Sequence, residues 1–205
     1  VEDRVEEAKA EIGQMILDMA DHAPPYEPVE RAASLGGDSD DPILFEVAIF
    51  DPHIGMLSWG KEVGEAQDTD IAVNDFVAAG RHLLSFARLY NTERILIPLG
   101  NDLGHVNSYL PGGKGAVTRM GTPQDVDGRT ARIFTSIRRA CVSLIDEARL
   151  VAPVDVILVE GNHDPDEMFK LGEVLYAWYR NDPEVTITYS PRKRKFYNYG
   201  ACTFM

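Results

Sequence analysis

The chain has 205 residues, 44% of them hydrophobic and 26% charged, and carries a formal net charge of −13. That length suits one domain with a sizeable core; no apolar run approaches the ~20 residues a membrane helix needs, and 2 cysteines cannot build a disulfide scaffold. With no cationic, apolar secretory leader at the start, a single catalytic-sized domain in the reducing cytoplasm is expected, without a membrane role.

Such acidity argues against phosphate-backbone binding, but most of the excess acid lies in residues 1–50. The remaining body is nearly balanced, so charge neither indicates nor excludes a nucleic-acid substrate.

In chain order, Val5, Ala8, Ile12, Met15, Ile16 and Met19 recur at three- and four-residue spacing and predict an amphipathic helix over residues 2–21. It reads as a docking arm, the end of a preceding domain or a surface helix. Pro24, Pro25, Pro28, Gly36 and Gly37, with the acids Asp38, Asp40 and Asp41, cannot continue it and predict a linker over 22–41. Residues 1–41 are thus a helix and linker, and 42–205 the domain proper.

From Ile43 the pattern is regular. Ile43–Phe50 reads as a buried strand, Thr69–Tyr90 as a helix, Ile95–Leu99 as a second strand, and Gly100–Gly128 as a long polar connection. Arg129–Leu150 reads as a helix, Val154–Val159 as a third strand and Asp166–Tyr179 as a third helix, followed by closing strands near Val185–Tyr189 and Lys195–Met205. The alternation predicts an α/β fold of βαβ units around a mainly parallel sheet.

The residues at the carboxyl end of each central strand carry chemistry: Asp51-Pro52-His53, then Gly100-Asn101-Asp102, then Gly161-Asn162-His163-Asp164. Ligands of open α/β sheets bind at those ends, so the three turns are expected to converge. Asp51, His53, Asp102, Asn162 and His163 together offer carboxylate, imidazole and amide donors and no thiolate, a set suited to Mn, Fe, Zn or Mg. Taken singly, each turn has a bland reading, because Gly-Asn-Asp is a common turn and His53, His105 or His163 can be a satisfied structural histidine.

This series of turns resembles the calcineurin-like metallophosphoesterase superfamily, whose signature is D-x-H, G-D, G-N-H-D/E, a lone His and G-H-x-H. The match spans residues 43 to about 205. Asp102-Leu103-Gly104-His105-Val106-Asn107 further resembles the D-L-F-H-x-N stretch of the DNA repair nucleases in that superfamily. The stretches Gly121–Asp127 and Ala152–Val156 are similar to phage-borne phosphoesterases.

The resemblance implies a sandwich of two sheets flanked by helices, incomplete here at the C-terminus, and two divalent metal ions, with Mn favoured. It also implies Asp51 and His53 on the first ion, Asn162 on the second, and Asp102 between them. His163 would serve as acid or electrostatic partner to the leaving oxygen, oriented by His105, and Asp164 would be a structural hydrogen bonder. The family places Asp directly after the Gly; here Asn101 intervenes, and Asp102 is preferred as the anionic residue that keeps the spacing to His105.

The expected later histidines are absent, since none of the 5 follows His163, so a cut piece of a longer enzyme, weakly active or inactive, is expected. The implied substrate is a phosphoester, with DNA favoured. The alternatives are a protein or nucleotide phosphatase and a non-catalytic binding module. Elsewhere, Cys141 and Cys202 read as core residues, and the basic run Pro191–Lys195 as a solvated hairpin turn that can touch phosphates. Gly112–Gly115 reads as a flexible stretch, and His105–Asp127 as a substrate-selecting lid with Arg119 and Arg129 as phosphate contacts.

Overall fold

A computed structural model describes residues 26–31, 41–110 and 115–205. The expected helix over 2–21, most of the linker and residues 112–114 lie outside the described residues.

The first predicted strand forms as two short pieces, β1 (Ile43–Glu46) and β2 (Ile49–Phe50), both pairing with the same edge of β3 (Thr92–Gly100). A short helix α1 (Gly60–Val63) precedes α2 (Thr69–Ala87), whose first turn is capped by the Asp68 carboxylate accepting from Ile71 N at 2.8 Å. The region read as one long connection contains β4 (Ser108–Tyr109), β5 (Ala116–Val117) and β6 (Pro123–Gln124), a small antiparallel sheet. Then come α3 (Thr130–Arg149), β7 (Val154–Val159), α4 (Pro165–Tyr179) and β8 (Val185–Thr188). In α4, Pro165 opens the first turn, followed by Asp166 and Glu167, where a fixed φ and negative charge both favour a helix start.

The central sheet has the order β1-β3-β7-β8 with every pairing parallel. Each crossover therefore steps in the same direction across the sheet, and right-handed crossovers of that kind place all their helices on one face. The core agrees. Ile95, Ile97 and Leu99 of β3 and Val154, Val156 and Leu158 of β7 form one cluster with Phe76, Ile137, Leu144 and Leu171 of the helices. The intervening Leu96 and Ile157 are also buried, and strand alternation turns them to the other face.

On that other face lies a hairpin of β9 (Tyr197–Tyr199) and β10 (Cys202–Phe204), with Tyr197 Oη donating to Asp155 Oδ2 at 2.6 Å. One closing strand was expected over Lys195–Met205; Gly200, with φ of 54°, instead turns the chain back on itself. The observed architecture is thus an α/β fold with a parallel central sheet, helices on one face and two small antiparallel sheets.

Residues 26–31, within the span read as linker, are anchored to the body. Tyr26 stacks on Tyr179 with ring centroids 5.3 Å apart, and the Arg149 guanidinium lies 4.8 Å from the Tyr26 ring. Arg149 also donates to the Glu27 carbonyl at 2.6 Å and pairs with the buried Asp182, while Arg31 pairs with Glu184. Cys141 is buried, in line with a core role, whereas Cys202 is exposed on the hairpin.

Candidate metal centre

The sheet brings the three turns together through backbone pairing that continues past the strands. Asp51 N donates to the Asn101 carbonyl at 3.1 Å, His53 N to that of Asp102 at 3.2 Å and Ile54 N to that of Leu103 at 2.9 Å. From the β7 side, Asn101 N reaches the Val159 carbonyl at 2.7 Å, and His163 N donates to Asp102 Oδ1 at 2.6 Å.

Two glycines permit this approach. A Cβ on Gly100 would stand 1.9 Å from the Val159 carbonyl oxygen, and one on Gly161 would stand 2.0 Å from Asp102 Oδ1. The convergence also strains the backbone. Among the described residues, the non-glycine residues with positive φ are Asp51 (64°), His53 (44°), Asn101 (52°) and Asp102 (64°), all of them in this site. Left-handed conformations of this kind cost about 1 kcal/mol or more each and persist where the surroundings enforce them, characteristically at functional sites.

Asp51, His53 and Asp102 present donor atoms within 4.8 Å of one another, and so do His53, His105 and His163. His53 belongs to both groups. Its Nε2 lies 3.2 Å from Asp51 Oδ1, and its Nδ1 lies 3.2 Å from His105 Nδ1. The mixed carboxylate and imidazole group suits a divalent cation of the Mn, Fe, Zn or Mg type. The cluster can therefore hold a metal ion.

No family model, curated protein or solved structure matches the chain.

Asp102, not the exposed Asn101, carries its carboxylate into the cluster, where it is 7% exposed. Asn162 is exposed and sits between Gly161, which lies against Asp102, and His163, whose backbone is bonded to it. His163 Nδ1 lies 2.8 Å from the His105 carbonyl oxygen, to which it donates, so the ring is oriented by the backbone of His105. The His105 imidazole itself faces His53. Burial, with His53 and His163 alongside, pushes the buried His105 down to about 4, which keeps it neutral near pH 7. Burial likewise lowers His53.

Asp164 is buried and accepts from Gly104 N at 2.7 Å and Gly161 N at 3.3 Å, tying two of the turns together. That fits the structural role expected of it.

Sequence reasoning gave no role to Asn107 or Asp127. Asn107 Nδ2 donates to Asp166 Oδ2 at 2.7 Å while Asp166 N donates to Asn107 Oδ1 at 2.8 Å, a two-way clamp between the small sheet and the start of α4. Asp127 Oδ2 accepts from Thr69 N at 3.0 Å and pairs with Arg132 at 3.1 Å, fixing the other end of the predicted lid. The signals were present as a polar residue five places after Asp102 and an acid beside Gly128, but their partners lie elsewhere in the chain. Of the two arginines proposed for phosphate, Arg129 precedes the first turn of α3, and Arg119 lines a groove beside the third turn.

Proposed function

We propose that the chain is a metal-dependent phosphoester hydrolase of the calcineurin-like metallophosphoesterase type, acting on phosphodiesters and, in preference, on DNA. The observation that carries the reading is the convergence of Asp51, His53 and Asp102, with His163 beside them and Asn162 next to it in the chain, at strand ends held in strained backbone. Asn and Asp tolerate the left-handed region in ordinary turns, but four non-glycine residues together at positive φ, His53 among them, is a concentration characteristic of functional sites.

Bound divalent cations would supply Lewis-acid polarisation of the phosphoryl group and an acidified water. Asp51, His53, Asp102 and Asn162 would hold them, with the two carboxylates offsetting part of the charge. His163 donates through Nδ1 to the His105 carbonyl, which leaves Nε2 as the nitrogen free to face substrate. Nε2 would deliver a proton to the leaving oxygen as water adds to phosphorus and the P–O bond breaks. The His105 carbonyl fixes that ring, and the buried Asp164 keeps the third turn against Gly104.

The test is metal content after loading with excess Mn, followed by the rate on a phosphodiester dye ester, for the chain and for Asp102→Ala. Bound Mn is expected, with weak turnover at most because no histidine follows His163, and both are lost in the variant. Absence of bound metal from the unmodified chain under these conditions refutes the reading.

A further inference from the structure

The basic run and Arg119, which the proposed chemistry leaves unused, come together at one place. Arg119 from the loop after β5, Lys170 from α4 and Lys193 from the 191–195 loop line a groove of about 350 Å³, together with Phe169, Glu160 and Asp166. Glu160 directly precedes Gly161-Asn162-His163, and Asp166 follows it closely. The groove thus adjoins the turn that carries Asn162 and His163.

The charge of this groove is available to a ligand. Its two acids keep their charge, Asp166 bonded to the neutral Asn107 amide and Glu160 in the field of Lys195, so the cationic surplus comes from Arg119, Lys193 and the flanking Arg192 and Arg194. Lys170 pairs with Glu167 at 2.7 Å, but among the described residues the side chains of Arg119 and Lys193 make no ion pair or hydrogen bond and are exposed. Lys195 Nζ donates to the carbonyls of Ser190 at 2.7 Å and of Arg192, folding the loop back so that Arg192, Lys193 and Arg194 project outward. This cationic rim stands on a protein whose overall charge is −13.

One aromatic ring, Phe169, lines the groove and is 42% exposed. Behind it Phe169 meets the half-buried Tyr189 at 5.9 Å between centroids, and Tyr189 meets Tyr176 at 5.6 Å, so the ring is braced in place. A solvent-facing ring beside unpaired cations is the combination that binds an unpaired base by stacking and its backbone by charge. A duplex hides its bases from such a ring.

We infer that this groove is a single-stranded nucleic-acid subsite that leads a strand to the metal centre, with Arg119 and Lys193 on phosphates and Phe169 under a base. The inference rests on the phosphoester reading and names its substrate class. It also implies that the expected lid region contributes through Arg119 rather than by closing.

The experiment measures binding of a fluorescein-labelled single-stranded oligodeoxynucleotide by anisotropy, in EDTA and over a range of salt, so that neither metal nor turnover is involved. Arg119→Ala combined with Lys193→Ala is expected to weaken binding about tenfold and to reduce the slope of log affinity against log salt by about 1.4, at about 0.7 for each phosphate left without its cation. Phe169→Ala is expected to weaken it about tenfold with the slope unchanged, since stacking carries no counterion release. All variants lie on exposed side chains, and unchanged thermal melting verifies that they fold.

Unchanged affinity in the double variant overturns the inference. Tighter binding of duplex than of single strand, or equal competition by polyglutamate, overturns it as well. Oligonucleotide binding that persists in a chain taking up no Mn leaves the groove standing and defeats the hydrolase reading, so the two fail separately.

Discussion

Replacing Gly161 by alanine tests how tightly the third turn is held against the second. The added Cβ would stand 2.0 Å from Asp102 Oδ1, 2.3 Å from Asp102 N and 2.5 Å from Asp102 Cγ. Two of these atoms belong to a carboxylate fixed by the backbone of His163, and the third is main chain, so no flexible tip can swing aside. Relief requires the turn to withdraw by about 1.5 Å, given ordinary contact distances of about 3.5 Å.

That withdrawal breaks the 2.6 Å bond from His163 N to the Asp102 carboxylate, a charge-assisted bond of about 1.5–3 kcal/mol. Residual overpacking adds about 1–3 kcal/mol. The expected loss is about 3–5 kcal/mol, or about 10 °C in melting temperature for a chain of this size. Mn affinity is expected to fall about a hundredfold as Asn162 moves away from Asp102.

Gly104→Ala provides the comparison, because its added Cβ would meet Ile137 at 3.4 Å and Asp164 at 3.5 Å, close to ordinary contact. Differential scanning fluorimetry and calorimetric Mn titration on both variants decide the matter. Equal melting and equal Mn affinity in the two would refute the close-approach argument.

Three further outcomes are expected. His163→Ala is expected to lower turnover on a phosphodiester ester about a hundredfold or more with Mn content retained; loss of metal together with turnover would make His163 a ligand. Arg149→Ala leaves the buried Asp182 charge without its partner and is expected to cost about 3–5 kcal/mol in urea unfolding, with faster proteolysis near Glu27; stability within about 1 kcal/mol of the parent, the worth of one ordinary hydrogen bond, would contradict the pairing. Burial and the adjacent Asp155 raise Tyr197 above its usual value, so the stability it contributes is full below about pH 10 and is lost as pH rises toward the folded-state value. Tyr197→Phe is therefore expected to be less stable at pH 8 and to lose less between pH 9 and 11, and parallel urea curves across that range would count against the Asp155 contact.

Much of the fold was legible because a parallel sheet buried on both faces writes its strands as continuous apolar runs. Val154–Val159 is the clearest example, coinciding with β7. The helices followed from their 3.6-residue spacing, and the three site turns from their position after those strands. What the sequence did not disclose has no local cause. The strands β4, β5 and β6 are two residues long and exist through pairing with one another.

The break between β1 and β2 was not legible either, since Leu44–Glu46 and Ile49–Phe50 keep one register on β3 across it, and the Arg149–Asp182 pair joins residues far apart in the chain. The positive φ at Asp51, His53, Asn101 and Asp102 was equally hidden, because none of them is a glycine and only the packed turns impose it. His105 was expected to orient His163; the contact between them is a bond from His163 Nδ1 to the His105 carbonyl, a group that every residue type possesses.

The one-way stepping of the strands has a consequence for how this molecule tolerates change. Each passage from strand to helix emerges at the end bearing Asp51, Asp102 and His163, and each return from helix to strand, at residues 88–91, 150–153 and 180–184, emerges at the opposite end. The return loops include Asp182 and Glu184, which hold the 26–31 segment through Arg149 and Arg31. Substitutions there act on folding at a distance from the His/Asp cluster, the length of the sheet away, whereas those in the outgoing turns bear on the cluster and on folding together. Laboratory evolution could therefore harden the return rim without disturbing the cluster.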